Sequence, residues 1–415
     1  MTNITAPFAI HAREQGDAVA LQFDDEHLTW PQLEQATGAI AANLRGHLKP
    51  HARIALLLPH SPALALLFLA IARAGCEAQI GDSDWPSAMM GDVIGRLQPD
   101  LVIATPSIAQ ALRADMRWPG AIAECEDLSP SGAHAVFPAP GDATINDFAS
   151  QDDSETPFYV GFTSGSTGLP KAYRRNHRSW LASFAADAKE FAIRSGDVVF
   201  APGTLNHSLF AYALAHGLYR GARVVMMRKF HPRHALALMA REQASILYGV
   251  PTQLQLLIEA RATPCESVRQ ILSTGAKWFD AGSSLLHARF PRARFAEFYG
   301  ASETSFMSVA HRHEAPPADS VGRAFADVAL TIRNAEGEIL PPDTQGYVFV
   351  ESEMIFSGYA YGGENDLMRA GRAISVGDVG VCDAHGFLTL KGRAKRMIVT
   401  MGKNLYPEDV ERVLM

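Results

Sequence analysis

Behind Thr29 and Pro31, apolar side chains recur at Leu33, Ala36, Ile40 and Leu44 with polar residues between them, which predicts an amphipathic helix capped by Thr29. RIALLLP then predicts a strand over 54–58, SPALALLFLAIARAG a helix and, past a further helical segment, DLVIAT another strand. The ten apolar residues over 63–72 fall well short of the roughly 20 needed to cross a bilayer, so they predict a buried helix. Strands that are apolar throughout and alternate with helices belong in a parallel sheet covered on both faces. From about 127 to 155 the chain turns to Pro, Gly, Ala, Ser and Asp with weak periodicity, which predicts an irregular connection and leaves a domain boundary there open.

The alternation resumes with DVVFAPG, SLFAYALAHGLYRG, ARVVMM, HPRHALALMAREQ and SILYGV, so a second α/β unit is expected over about 155–305. After Pro316 the short apolar runs VALTIRN, GYVFVES and GFLTLKG, set apart by turn-rich AEGE, PPDTQ and DAHG, predict a smaller β-rich unit. NLYPEDVERVLM, with Pro407 near its start, predicts the first turns of a helix and leads to the expectation that something normally follows. No internal repeat or low-complexity tract suggests a fibrous or solenoid fold.

With 47% hydrophobic and 20% charged residues, the 415-residue chain has material for two or three packed domains. Its net charge of −7 gives no general attraction to nucleic acid or an anionic membrane. The local cluster of Arg174, Arg175, His177 and Arg178 stays open between an anion contact and a solvated helix start. Cys76, Cys125, Cys265 and Cys382 form no CxxC pair, so neither a disulfide framework nor a cysteine metal site is expected. With no targeting signal at the N-terminus, a reducing cytoplasm is the expected location.

Candidate chemistry gathers in YVGFTSGSTGLPKAYRRNHRSW, residues 159–180. The apolar run at its start predicts a strand over 158–162, which places the polar cluster at a strand's carboxyl end, where open α/β sheets form ligand crevices. Gly165 and Gly168 leave room for backbone N–H groups to point inward, Thr163, Ser164, Ser166 and Thr167 add hydroxyls, and Lys171 adds a mobile positive charge. The GK[ST] ending of a Walker A loop is missing. Such a composition suits a phosphate loop and also makes ordinary polar turns, so other segments have to decide.

FTSGSTGLPK, followed by YGASE at 299–303, VGD at 376–378 and GRAKRMIVTMGKNLYPEDVE at 392–411, resembles the adenylate-forming superfamily of acyl-CoA synthetases, firefly luciferases and peptide-synthetase adenylation domains. The segments occur in the family order and span nearly the whole chain. The resemblance implies a layered α-β-α-β-α large domain of two similar sheet–helix subdomains, 1–155 and 156–315, plus a smaller β-rich subdomain, 316–392. Residues 393–415 would be a hinge and the start of a C-terminal domain, most of it absent. The implied activity is ATP-dependent activation of a carboxylic acid to an acyl adenylate with release of pyrophosphate, then transfer to a thiol. The implied cofactors are ATP, Mg2+ and, as acceptor, coenzyme A.

By this resemblance Thr163, Ser164, Gly165, Ser166, Thr167, Gly168 and Lys171 form the loop around the β- and γ-phosphates, with Ala172 where family members commonly have Gly. Tyr299 matches the residue that packs on adenine, with Gly300 beside it. Ser302 stands at the usual threonine position near the α-phosphate, and Glu303 matches the Mg2+-associated carboxylate. Asp378 matches the aspartate that receives both ribose hydroxyls and Arg393 the arginine that reaches the nucleotide. Gly275 and Ala276, in GAK, resemble the strand end lining adenine and the acyl pocket. His207 stands where many acyl-CoA synthetases orient the substrate carboxylate, although a histidine at a helix start needs no such role. Lys395 matches the hinge, while His216 and His234 lie in helical segments and are expected to be structural.

Peptide-synthetase adenylation domains place an aspartate in the segment matching LNHSLF, but no acid lies between Ala201 and Tyr212. A buried ammonium without a counter-charge is costly, so a non-amino acid is expected, its pocket lined by HSLFAY, YGVPTQL and TGAKW. The acceptor is coenzyme A or a carrier-protein thiol. The family's catalytic lysine lies beyond the segment matching 392–411, and only four residues follow Glu411. Three explanations stay open: an excised large domain, a separate C-terminal domain supplied by a partner, or a nucleotide-binding interaction or regulatory module with little turnover. The expectation is ATP and acid binding with slow pyrophosphate exchange.

Overall fold

The computed structural model describes residues 3–115, 118–136, 154–163, 168–278, 282–363, 366–394, 398–400 and 403–405. Ser164, Gly165, Ser166, Thr167 and Lys395 lie outside the described residues, as does the helix predicted after Pro407.

Two large sheets carry the fold. Nine strands form the first, in the order Arg323–Ala324, Ser305–His311, Arg294–Ala301, Gln270–Ser273, Ile246–Gly249, Val198–Ala201, Arg223–Met226, Val19–Phe23 and Glu26–Thr29. Seven form the second, in the order Gly358–Tyr361, Lys171–Asn176, Pro157–Thr163, Glu77–Ile80, Arg53–Leu57, Leu101–Ala104 and Ala121–Glu124. Sheet membership runs across residue 155 instead of stopping there, since Val19–Phe23 pairs in parallel with Arg223–Met226 while Pro157–Thr163 pairs in parallel with Glu77–Ile80. A smaller six-stranded sheet is built within residues 329–393.

The period of two along each strand explains the layering. Val224 and Met226 face a continuous core that also takes Ile54 and Leu56 from the other sheet, together with helices Pro62–Arg73 and Ser208–Tyr219. Val225 points the other way, onto Leu236 and Met239 of helix Pro232–Arg241. Ala55 and Leu57 likewise turn to Met90 and Ile94 of helix Ser87–Leu97. The result is the expected α-β-α-β-α stack.

Helix Trp30–His47 starts at Thr29 as predicted, with a reciprocal cap in which Thr29 N–H donates to Gln32 Oε1 at 2.8 Å, and it buries Leu33, Ala36, Ile40 and Leu44. Every residue from Ala63 to Ala72 is at most 2% exposed, as a buried helix requires. No helix among the described residues is long and apolar enough to cross a membrane. Within the connection expected to be irregular, Ser129 caps a short helix, Pro130–Ala135. Helix Pro62–Arg73 is capped by buried Ser61, whose Oγ accepts from Leu64 N at 3.3 Å. Ser61→Ala should therefore cost about 1 kcal/mol, measured as a lower urea midpoint with an unchanged slope.

Candidate active site

Strands of both large sheets end around one cavity of about 740 Å³. Thr163 reaches it from the end of Pro157–Thr163, Val250 from just past Ile246–Gly249, and Gly275 from just past Gln270–Ser273. Gly300, Ser302 and Glu303 arrive at the end of Arg294–Ala301. Carboxyl ends of strands are where α/β sheets place ligands, because the chain must turn there and leaves backbone groups free. Two glycines are set by the backbone. A Cβ on Gly300 would stand 2.0 Å from Ser305 O, and Gly275 has φ +94°.

Lys171, His207 and Arg393 complete the predicted residues on this wall. His207 is exposed at the start of helix Ser208–Tyr219. The Lys171 ammonium is ion-paired with Asp366, a carboxylate that no sequence pattern singled out. Glu303 is 8% exposed, and the Tyr359 hydroxyl donates to its Oε1 at 2.7 Å. That fixes one carboxylate oxygen and leaves Oε2 with no protein partner among the described residues. A single hard oxygen donor of this kind fits Mg2+, which is commonly held by one or two carboxylates together with substrate phosphates. Burial, and after it the Glu303 charge, raises the Tyr359 hydroxyl above the usual phenol range, so it stays a donor.

Asp378 and Tyr299 lie behind this wall and join it through Arg393, whose Nε donates to Asp378 Oδ1 at 2.9 Å; the Tyr299 hydroxyl donates to Oδ2. Burial works to lower the Arg393 pKa, but the Asp378 charge and hydrogen bond outweigh it and raise it. Each Asp378 oxygen retains a lone pair for a hydroxyl group. Ala276 is exposed beside Gly275, and Gly168 is exposed with φ +85°.

The basic cluster is not a solvated helix start. Arg174 pairs with Glu77, His177 is fully buried and stacked on Phe158 with ring centroids 4.4 Å apart, and Arg175 is 4% exposed on the cavity wall. Only Arg178 is a surface residue of the expected kind, paired with Glu155 and Glu353. Arg228 is a further cation on the wall that the sequence did not suggest. His234 is exposed, with its Nε2 3.0 Å from Asp24 Oδ1, and does not line the cavity.

His216 is fully buried, its Nδ1 3.4 Å from Asp187 Oδ2. Burial pushes Asp187 up to about 8, against the hydrogen bonds from Tyr248 and Tyr212, and pushes His216 down to about 3. Burial thus favours the uncharged form of both side chains over an ion pair. Tyr212 stands between them and the cavity it lines. From the predicted pocket segments Ser208, Leu209, Phe210, Thr252, Gln253 and Thr274 also reach the wall, whereas Trp278 is buried in the core on the outer face of the nine-stranded sheet.

A family model described as AMP-binding enzyme matches residues 8–360. The chain is 36% identical over 415 residues to an uncharacterized acyl-CoA ligase, YhfT, of Bacillus subtilis (strain 168), with 99% of this chain and 82% of that protein covered. Among solved structures it is similar to O-succinylbenzoate coenzyme A synthetase (MenE) of Bacillus subtilis in complex with ATP and magnesium ion, at a TM-score of 0.85 and 20% identity over 98% of this chain and 83% of that one. It is also similar to ATP-bound MatB from Rhodopseudomonas palustris, at a TM-score of 0.84 and 22% identity over 99% of this chain and 82% of that one. At these identities the two structures share the fold.

Proposed function

Because the chain belongs to the AMP-binding enzyme family, we propose that it uses ATP to activate a non-amino carboxylic acid to an acyl adenylate and passes the acyl group to coenzyme A. In the first step a carboxylate oxygen attacks the α-phosphorus and the α–β P–O bond breaks, releasing pyrophosphate. In the second the thiol sulfur attacks the acyl carbonyl, AMP leaves and the thiol proton goes to solvent.

The observation that carries this reading is the charge of the cavity wall. Among the described residues Glu303 is its one acid, against Lys171, Arg175, Arg228 and Arg393. Lys171, Arg228 and Arg393 each also meet a carboxylate outside the lining, Asp366, Glu26 and Asp378, and Arg175 meets none among the described residues, so the groups that face the cavity favour a polyphosphate and a carboxylate over an ammonium group. The acyl-CoA ligase name of the Bacillus relative supports the same reaction class.

Bound Mg2+ would neutralise charge on the phosphates and the leaving pyrophosphate. Lys171 would exchange Asp366 for phosphate oxygens, and Ser302 would donate its hydroxyl near the α-phosphate. His207 would orient the incoming carboxylate, while Asp378 and Arg393 would hold the ribose end. Tyr359 keeps the Glu303 carboxylate in one orientation.

An ATP–pyrophosphate exchange screen across short, long and aromatic acids tests the proposal. At least one of these classes should support exchange, at a slow rate, and α-amino acids should support none. A chain that binds Mg·ATP yet exchanges with no acid would instead be a nucleotide-binding module. Lys171→Ala should weaken Mg·ATP binding about tenfold, the loss of one charge-assisted contact, read by calorimetry.

A further inference from the structure

Among the described residues, three of the four arginine and lysine side chains on the cavity wall already meet a carboxylate: Lys171 meets Asp366, Arg228 meets Glu26, and Arg393 meets Asp378. Arg175 is the exception. It is 4% exposed and makes no ion pair among the described residues. Its Nε donates to Ser179 Oγ at 3.0 Å and its Nη2 to Met354 O at 2.8 Å and Ser179 O at 3.4 Å, while Nη1 donates to Ser302 O at 3.3 Å. These are four bonds for the five N–H groups of a guanidinium.

The strand beside it leaves no slack. A Cβ on Gly161 would fall 2.2 Å from the Tyr173 hydroxyl and 2.4 Å from that of Tyr159. Both phenols line the cavity with Arg175. Burial lowers the Arg175 pKa only to about 10, so the group is a cation at neutral pH.

A buried guanidinium answered only by carbonyls and hydroxyls is strongly unfavourable compared with an apolar side chain of the same volume. Packing therefore does not explain it. What distinguishes this site is that one arm of the fork holds the carbonyl of Ser302, while the guanidinium makes no direct ion pair among the described residues and feels Glu303, on the same cavity wall, only as a charge without a hydrogen bond.

We propose that Arg175 is a positioning residue for the α-phosphate, holding Ser302 in place by its carbonyl and supplying a fixed positive charge that a bound phosphate completes. The inference rests on the nucleotide reading above, in which Ser302 faces the α-phosphate. The fork geometry matters as well as the charge, since a lysine cannot hold Ser179, Met354 and Ser302 together.

Adenosine and AMP differ by the phosphate in question, so calorimetry of the full chain with each separates the two ideas without knowledge of the acid. The wild type should prefer AMP. Arg175→Met should lower the AMP-over-adenosine ratio about tenfold, as the loss of a charged partner does, with adenosine affinity unmoved, and Arg175→Lys should lower it less. If Arg175→Met does not fold, Arg175→Lys and Ser179→Ala carry the test, since both keep the charge and loosen the fork. A lower ratio with unmoved adenosine binding in either supports the proposal. An unchanged ratio across the folded variants overturns it, as does a parallel loss for both ligands, the mark of a merely structural role. A wild-type chain that binds neither ligand would overturn the nucleotide reading itself, and this inference with it.

Discussion

Replacing Glu303 with Gln is expected to weaken Mg·ATP binding about a hundredfold, or about 2.7 kcal/mol, while binding of ATP in EDTA stays near the wild-type value. Gln keeps the volume of Glu and can still accept from the Tyr359 hydroxyl, so the local packing changes little. What it loses is the ionised oxygen left without a protein partner. Truncating one member of a buried charge pair commonly costs 2 kcal/mol or more, and here the partner would be a divalent cation. Calorimetric titrations of both forms, with and without Mg2+, check this. An equal Mg2+ dependence in the two forms would remove Glu303 from the metal role.

The site was legible in the sequence where the backbone dictates the residue. Gly300 has to be glycine because Ser305 O passes 2.0 Å from where a Cβ would be, and such steric demands produce recognisable motifs. Helix Pro62–Arg73 was legible because a helix buried on every side has no polar face to blur the pattern. Strand pairing was not. That Val19–Phe23 lies beside Arg223–Met226 depends on partners about 200 residues away, and periodicity carries no information about partners. The supporting side chains were hidden for a similar reason. Tyr359 and Asp366 act through the hydroxyl and carboxylate they bring across from a distant segment, and Arg175 sits in RRNHR among charges that do reach solvent or an ion pair. Residue type alone could not show that one arginine of the cluster turns inward.

Asp187→Asn is expected to gain stability over the wild type as pH rises through neutrality. Below about pH 3.8 the carboxyl is protonated in the folded and unfolded chain alike. Between there and about 8, its pKa in the folded protein, only the unfolded chain releases the proton, so wild-type stability falls by at most about 1.4 kcal/mol per pH unit. Above about 8 the loss is complete. His216, lowered to about 3 by burial, works in the opposite sense, costing stability as pH falls below 6.5. The window from 6.5 to 8 therefore isolates Asp187, and comparison with the variant cancels the other histidines. Urea unfolding at half-unit steps should show a stability gap that widens to about pH 8 and then levels off. A gap independent of pH would mean that Asp187 is ionised in the fold. The outcome bears on substrate choice, because Asp187 lies directly behind Tyr212, whose hydroxyl is 3.3 Å from Asp187 Oδ2 and which itself lines the cavity. An ionised Asp187 would bring a counter-charge for a substrate ammonium close to the cavity. A neutral one leaves Glu303 as the one acid on the wall among the described residues and keeps the pocket suited to acids that carry no amino group.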